Sequence, residues 1–190
     1  PAPVAPAFSP PALADLAPAE RFHAFLRLGD EQRWRGLNPQ VVATGTAPAR
    51  SPAAPAGPPV LNSQRQFKVC ATLTCSTFAT VTAKARAVKS KVAIYVDTLA
   101  PAGGLDSAAL DGLGALFDTR LYAADTAAFG RESDIDTNSV VLVLMTPVVN
   151  KLVTNTQCEA TGFVAGFFFG ADLDPAFRND ARSNKGEVFY

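Results

Sequence analysis

KVAIYVDTLAPAGGLDSAALDGLGALFDTRLY, residues 91–122, changes its apolar period halfway along. Val92, Ile94 and Val96 recur at every second position, the spacing of a strand with one buried face. PAGG at 101–104 then breaks the chain. From Asp106, a side chain suited to capping a helix, Leu110, Leu113, Phe117 and Leu121 recur at helical spacing. A strand followed by a single long helix is therefore predicted here.

Moving toward the N-terminus, QFKVCATL (66–73) alternates Phe67, Val69, Ala71 and Leu73 with polar positions. FATVTAKARAV (78–88) does the same with Val81, Ala83, Ala85 and Ala87, so the two read as an antiparallel pair. Toward the C-terminus, VVLVLM (140–145) reads as a fully buried strand by its length and β-branching. TPVVNKL (146–152) reads as a turn or short helix opened by Pro147, GFVAGFFFGADL (162–173) as an aromatic strand interrupted by glycine, and GEVFY (186–190) as the start of another strand. Strands come in a run before the helix instead of alternating with helices. The expected fold is α+β, a mostly antiparallel sheet with one principal helix.

Residues 66–190 form that domain, and residues 1–65 differ in kind. Proline concentrates in PAPVAPAFSPPALADLAP and TAPARSPAAPAGPPV, and the first lysine is Lys68. The expectation is a long Pro/Ala-rich extended arm. Within it, near 19–35, ERFHAFLRLGDEQRWRGLN carries Phe22, Phe25, Leu26 and Gly29 at i, i+3, i+4 and i+7, opposite Arg21, Arg27 and Arg33. This is a short amphipathic helix. Its apolar stripe has two readings: it packs back on the domain, or Phe22, Phe25, Leu26 and Trp34 anchor the arm on another protein. His23 is the only histidine in the chain, and no carboxylate or cysteine constellation surrounds it in sequence.

Seventeen Lys and Arg balance seventeen Asp and Glu, so no field draws nucleic acid or anionic lipid. The longest apolar runs, VVLVLM and GFVAGFFFG, fall well short of the roughly 20 residues that span a bilayer. Membrane association is expected only peripherally, through partners. An Ala/Pro-rich start is the composition of a spacer behind a processed secretory signal, so export to the periplasm or the extracellular space is expected. Cys70 and Cys75 flank ATLT, a spacing that a hairpin turn closes into a disulfide, the alternative being free buried thiols; Cys158 is left over.

Ahead of VVLVLM stands ESDIDTNS, in which Asp134, Asp136 and Asn138 occupy alternate positions, as at the start of an EF-hand calcium loop. That loop requires glycine sixth and glutamate twelfth, where this chain has Ser139 and Met145. The competing reading is a turn in which these side chains accept from backbone amides. No other cofactor is indicated. A zinc site needs about four ligands, and neither a histidine nor a second cysteine pair lies nearby.

TAAFGRESDIDTNSVVLVLMTPVVNKL, GFVAGFFFGADLDP and SNKGEVFY, in that order, resemble the front half of the hyicolysin-like zinc metallopeptidases. The resemblance covers about residues 66–190. It implies scaffold roles for Asp134, Asp136, Asn138, Pro147, Asn150 and the segment Glu187 to Tyr190. In that family the catalytic H-E-x-x-H helix follows the E-x-F-Y strand, its two histidines binding zinc and its glutamate activating water. No such motif occurs among these 190 residues, so no catalytic role transfers. No G-x-S-x-G or phosphate-loop motif offers another chemistry.

Two functions follow as expectations. The first is a non-catalytic interaction subunit, a truncated peptidase-like domain that docks through its arm on other subunits of a larger assembly. An accessory subunit on the periplasmic face of an energy-converting membrane complex is one setting that suits such a protein. The second is the N-terminal portion of an active secreted zinc endopeptidase, in which zinc would belong to a catalytic half beyond Tyr190.

Overall fold

The structure is a computed structural model that describes residues 13–37, 57–174, 177 and 180–190, with the backbone alone at 13 and 30–37. The proline stretches of the expected arm, 1–12 and 38–56, lie outside the described residues. Helix α1 runs Pro18–Leu37. Strands β1 (Gln64–Cys70), β2 (Phe78–Val88) and β3 (Val92–Asp97) follow. Helices α2 (Ser107–Leu116) and α3 (Tyr122–Phe129) are joined by a π-helical turn at Phe117–Leu121. After β4 (Val141–Met145) come the short helices α4 (Pro147–Asn150) and α5 (Asn155–Ala160), and β5 (Val188–Phe189) completes the sheet.

The fold is α+β around one five-stranded sheet in the order β1-β2-β3-β4-β5. Both antiparallel pairs, β1–β2 and β2–β3, lie at one side and carry most of the paired residues. The β3–β4 and β4–β5 pairs are parallel, so the sheet is mixed, and several helices replace the single principal one expected. The parallel pair follows from the helix: a chain that leaves β3 and crosses the sheet in a helical connection returns in the same direction.

Local chemistry accounts for most boundaries. The Asp106 side chain accepts from the Ala109 amide at 2.7 Å and starts α2, and Thr146 caps α4 with Pro147 in its first turn. Thr154 and Gln157 form a reciprocal capping box at α5. A register shift between Ala85 and Ala87 reverses the facing of β2: Ala83 and Ala85 join the larger core cluster, whereas Ala87 joins the smaller one on the opposite face.

That larger cluster centres on Phe67, Val69, Tyr95, Leu142 and Leu144, and α1 leans on it through Phe22 and Leu26. On the other face Leu110 of α2 meets Val92 and Ile94. VVLVLM is not buried on both faces, as its composition suggested. Leu142 and Leu144 are enclosed while Val141, Val143 and Met145 are half-buried, because α2 lies over β2 and β3 and stops short of β4. GFVAGFFFG is not a strand either. It touches β5 at a single bridge, Phe168 to Phe189, with Phe167 and Tyr190 exchanging backbone bonds at 3.0 Å, before turning at Gly170–Asp172.

Glycine is required in that segment. A Cβ on Gly166 would stand 2.5 Å from the Phe189 ring and 2.7 Å from the Tyr190 carbonyl. Gly166→Ala is expected to lower stability by about 1–3 kcal/mol, measured by urea unfolding. Cys70 and Cys75 are joined across a separation of 5, closing the turn after β1. Cys75→Ser is expected to cost about 2 kcal/mol by the entropy of so short a loop, with the same loss on reduction of the native protein. Cys158 is free and exposed.

Candidate functional site

The loop 131–139 and the segment 183–190 build the polar part of the molecule. Asp134 accepts from the Ser139 amide at 2.9 Å, and Asp136 from the Asn138 side-chain amide at 2.7 Å. Asn138 accepts in turn from the Val140 amide at 2.7 Å. Asn138 is thus spent on the turn that feeds β4, with Asp134, Thr137 and Ser139 at positive φ. What the loop brings together with Asp134 and Asp136 is a residue about fifty positions away, Glu187, whose carboxylate lies within 4.8 Å of both.

Glu187 is 5% exposed. Its Oε1 accepts from the Ser133 hydroxyl at 2.5 Å and the Ile135 amide at 2.9 Å, while Oε2 has no donor among the described residues. Burial, and then the Glu187 charge, hold the Asp136 carboxyl above its usual range, partly offset by Arg65 at 3.9 Å. Sequence alternation pointed to Asp134, Asp136 and Asn138; no local signal exposes Glu187, since the contact depends on β5 lying beside β4.

Behind this loop, Tyr190 donates its hydroxyl to Asp172 and receives a bond from the Asn184 side chain. Asp172 also accepts from the Asn184 amide at 2.5 Å. Asn184 in addition pairs with both backbone groups of Lys68 at 2.7 Å, so this network fastens the C-terminal segment to β1 at the far side of the sheet. Burial pushes the Asp172 carboxyl up to about 6, against the pull of its Tyr190 and Asn184 bonds. Burial and the neighbouring Asp172 charge likewise raise the Tyr190 hydroxyl far above its ordinary value.

Two cavities adjoin these groups. A cleft of about 960 Å³ opens at the carboxyl ends of β3 and β4, where Asp97, Thr146, Asn150 and Tyr190 supply polar atoms and Lys84 and Arg86 supply charge. Thr146 donates to Asp97 at 2.6 Å and ties the two strand ends together. On the α2 side, a groove of about 650 Å³ runs over β4 and β5 between Val143, Met145, Phe189, Leu121, Phe129 and Phe168. Its lining is almost wholly apolar. Phe129 is 88% and Phe168 56% exposed, unusual for large aromatics lining one groove.

No histidine lines either cavity; His23 is exposed on α1 beside Phe22. Of the arm residues, Phe22 and Leu26 pack on the domain's own core, and Phe25, 56% exposed, faces away. Trp34 lies on the same helix, and its side chain is outside the described residues. No helix among the described residues is long and apolar enough to cross a membrane. No protein-family model matches this chain, and no curated protein matches it significantly.

Proposed function

We propose that this chain is a non-catalytic, peptidase-like scaffold whose role is to bind another polypeptide segment across the open face of β4 and β5. The observation that carries this reading is the apolar groove: Val143, Met145 and Phe189 of the sheet, with Phe168 and the α3 residue Phe129, line a largely apolar surface in which Phe129 and Phe168 stay more than half exposed. At about 25 cal/mol per Å² of apolar surface removed from water, covering this face supplies a driving force for association that needs no charge pairing. The matching occupant is an amphipathic helix with an apolar stripe, the element that already covers β2 and β3 on the same face. Among the described residues, the arm contributes one outward aromatic, Phe25, to contacts with other subunits of an assembly. The Cys70–Cys75 disulfide supports an exported setting, periplasmic or extracellular.

A photo-crosslinking residue placed at 129 or 168 in cells tests this. It is expected to trap one defined polypeptide, whereas the same residue at Leu99, 83% exposed on a loop, is expected to trap none. Equal labelling at all three positions would overturn the reading.

A second reading is favoured by one specific observation. The words of the hyicolysin-like resemblance converge: Thr146 and Asn150, Ala165, and Phe189 with Tyr190 all line the one cleft. Under this reading the segment on the open face is the H-E-x-x-H helix of a secreted endopeptidase, which would bring its own zinc. The crosslink would then map to that motif, and the native protein would contain one zinc per chain.

A further inference from the structure

We propose that Asp134, Asp136 and Glu187 hold a calcium ion that ties the loop before β4 to strand β5.

Oε2 of Glu187 is buried and receives no hydrogen bond among the described residues, although its partner oxygen receives two. Leaving a buried carboxylate oxygen without a donor is costly, so native proteins satisfy such atoms with a donor, a water or a cation. The side chain is 5% exposed and belongs to the carboxylate that closes the cluster, with two further carboxylates within 4.8 Å. Among the described residues, three acidic groups face one arginine, Arg65, whose nearest approach to Asp136 is 3.9 Å. That guanidinium also donates to the Asn184 carbonyl at 2.6 Å, so it is shared. Negative charge in the cluster exceeds the positive charge that the described residues place beside it.

The donor set selects the ion. The ligand atoms of the three carboxylates all lie within 4.8 Å of one another, a span that calcium bridges at about 2.3–2.6 Å from each oxygen. Magnesium demands near-ideal octahedral geometry and keeps several waters, which disfavours it where protein carboxylates supply the ligands. All the donors are hard oxygens with neither histidine nor cysteine among them, which disfavours zinc. Asn138, which alternates with the two aspartates in sequence, is not part of the set because its amide is engaged with Asp136 and Val140. Gly186 is the residue that lets the strand approach, since a Cβ there would lie 2.6 Å from Asp136 Oδ2.

The test uses the purified chain and calcium chloride alone. Titration calorimetry is expected to show one site with a Kd in the range of about 10⁻⁵–10⁻³ M, and tenfold excess over that Kd to raise the thermal midpoint by about 3–6 °C. Asp136→Asn and, as a separately folded check, Asp134→Asn should each weaken binding at least tenfold and remove the thermal shift. The proposal is overturned if up to about 10 mM calcium produces neither heat nor shift. It is also overturned if both variants bind as the parent does, or if magnesium binds as tightly as calcium. A midpoint that responds to acidification but not to calcium would assign the cluster to a shared proton instead.

Discussion

Between pH 4.5 and 7 the protein is expected to lose about 2 kcal/mol of stability to one carboxyl group, Asp172, and Asp172→Asn is expected to abolish that loss. Asp172 is 2% exposed, and burial lifts its folded pKa to about 6 from the ordinary 3.8. Between those values the folded state keeps a proton that the unfolded chain releases. The group's contribution is therefore complete below about 3.8, is lost as pH rises through about 6, and is flat above; the whole span corresponds to about 3 kcal/mol. An asparagine retains an oxygen for the Asn184 amide and carries no charge to bury, but it leaves the Tyr190 hydroxyl without its acceptor. The variant therefore starts from a different absolute stability. The decisive quantity is the difference between parent and variant urea midpoints at the two pH values, because exposed carboxylates contribute equally to both. Parallel curves would mean that Asp172 is ionised across the whole interval.

Phe67→Ala is expected to cost about 3–5 kcal/mol out of a total that for domains of this kind is about 5–15 kcal/mol. The ring is fully buried at the centre of the main cluster and meets Tyr95 edge-on at 5.1 Å. The Arg65 guanidinium lies 5.1 Å from its centroid. Its strand also receives Asn184 at Lys68, so a cavity here loosens the anchorage of the C-terminal segment as well as the core. Urea unfolding of the variant beside Leu99→Ala, which removes an exposed side chain and should change stability by less than about 0.5 kcal/mol, checks it. Equal, small losses in both would show that the β1 side of the sheet is not part of the cooperative unit.

These two residues also mark the limit of what was legible in the chain. Phe67 sits where simple alternation places it, and so do Val69, Val81 and Ala83. The Asp106 cap and the Thr146-Pro147 helix start were equally readable, because capping depends on atoms within three or four residues. The significance of Asp172 and Glu187 was not. Each draws its environment from segments far away in sequence, Asp172 from Tyr190 and Asn184, and Glu187 from Ser133 and Ile135. Nothing in the local composition of GADL or GEVFY foretells a carboxyl group buried beside another strand.

Periodicity and capping are short-range, so the residues alone settled the strand and helix types through β4 and the α+β class. The direction in which β4 and β5 join the sheet, the bulge that turns Ala87 to the other face, the groove left over β4 and the meeting of Asp134, Asp136 and Glu187 were decided only in three dimensions. The physical reason is that burial is a property of what lies opposite a side chain. VVLVLM is apolar enough to be enclosed on both faces, and whether it is depends on how far a helix from another part of the chain extends.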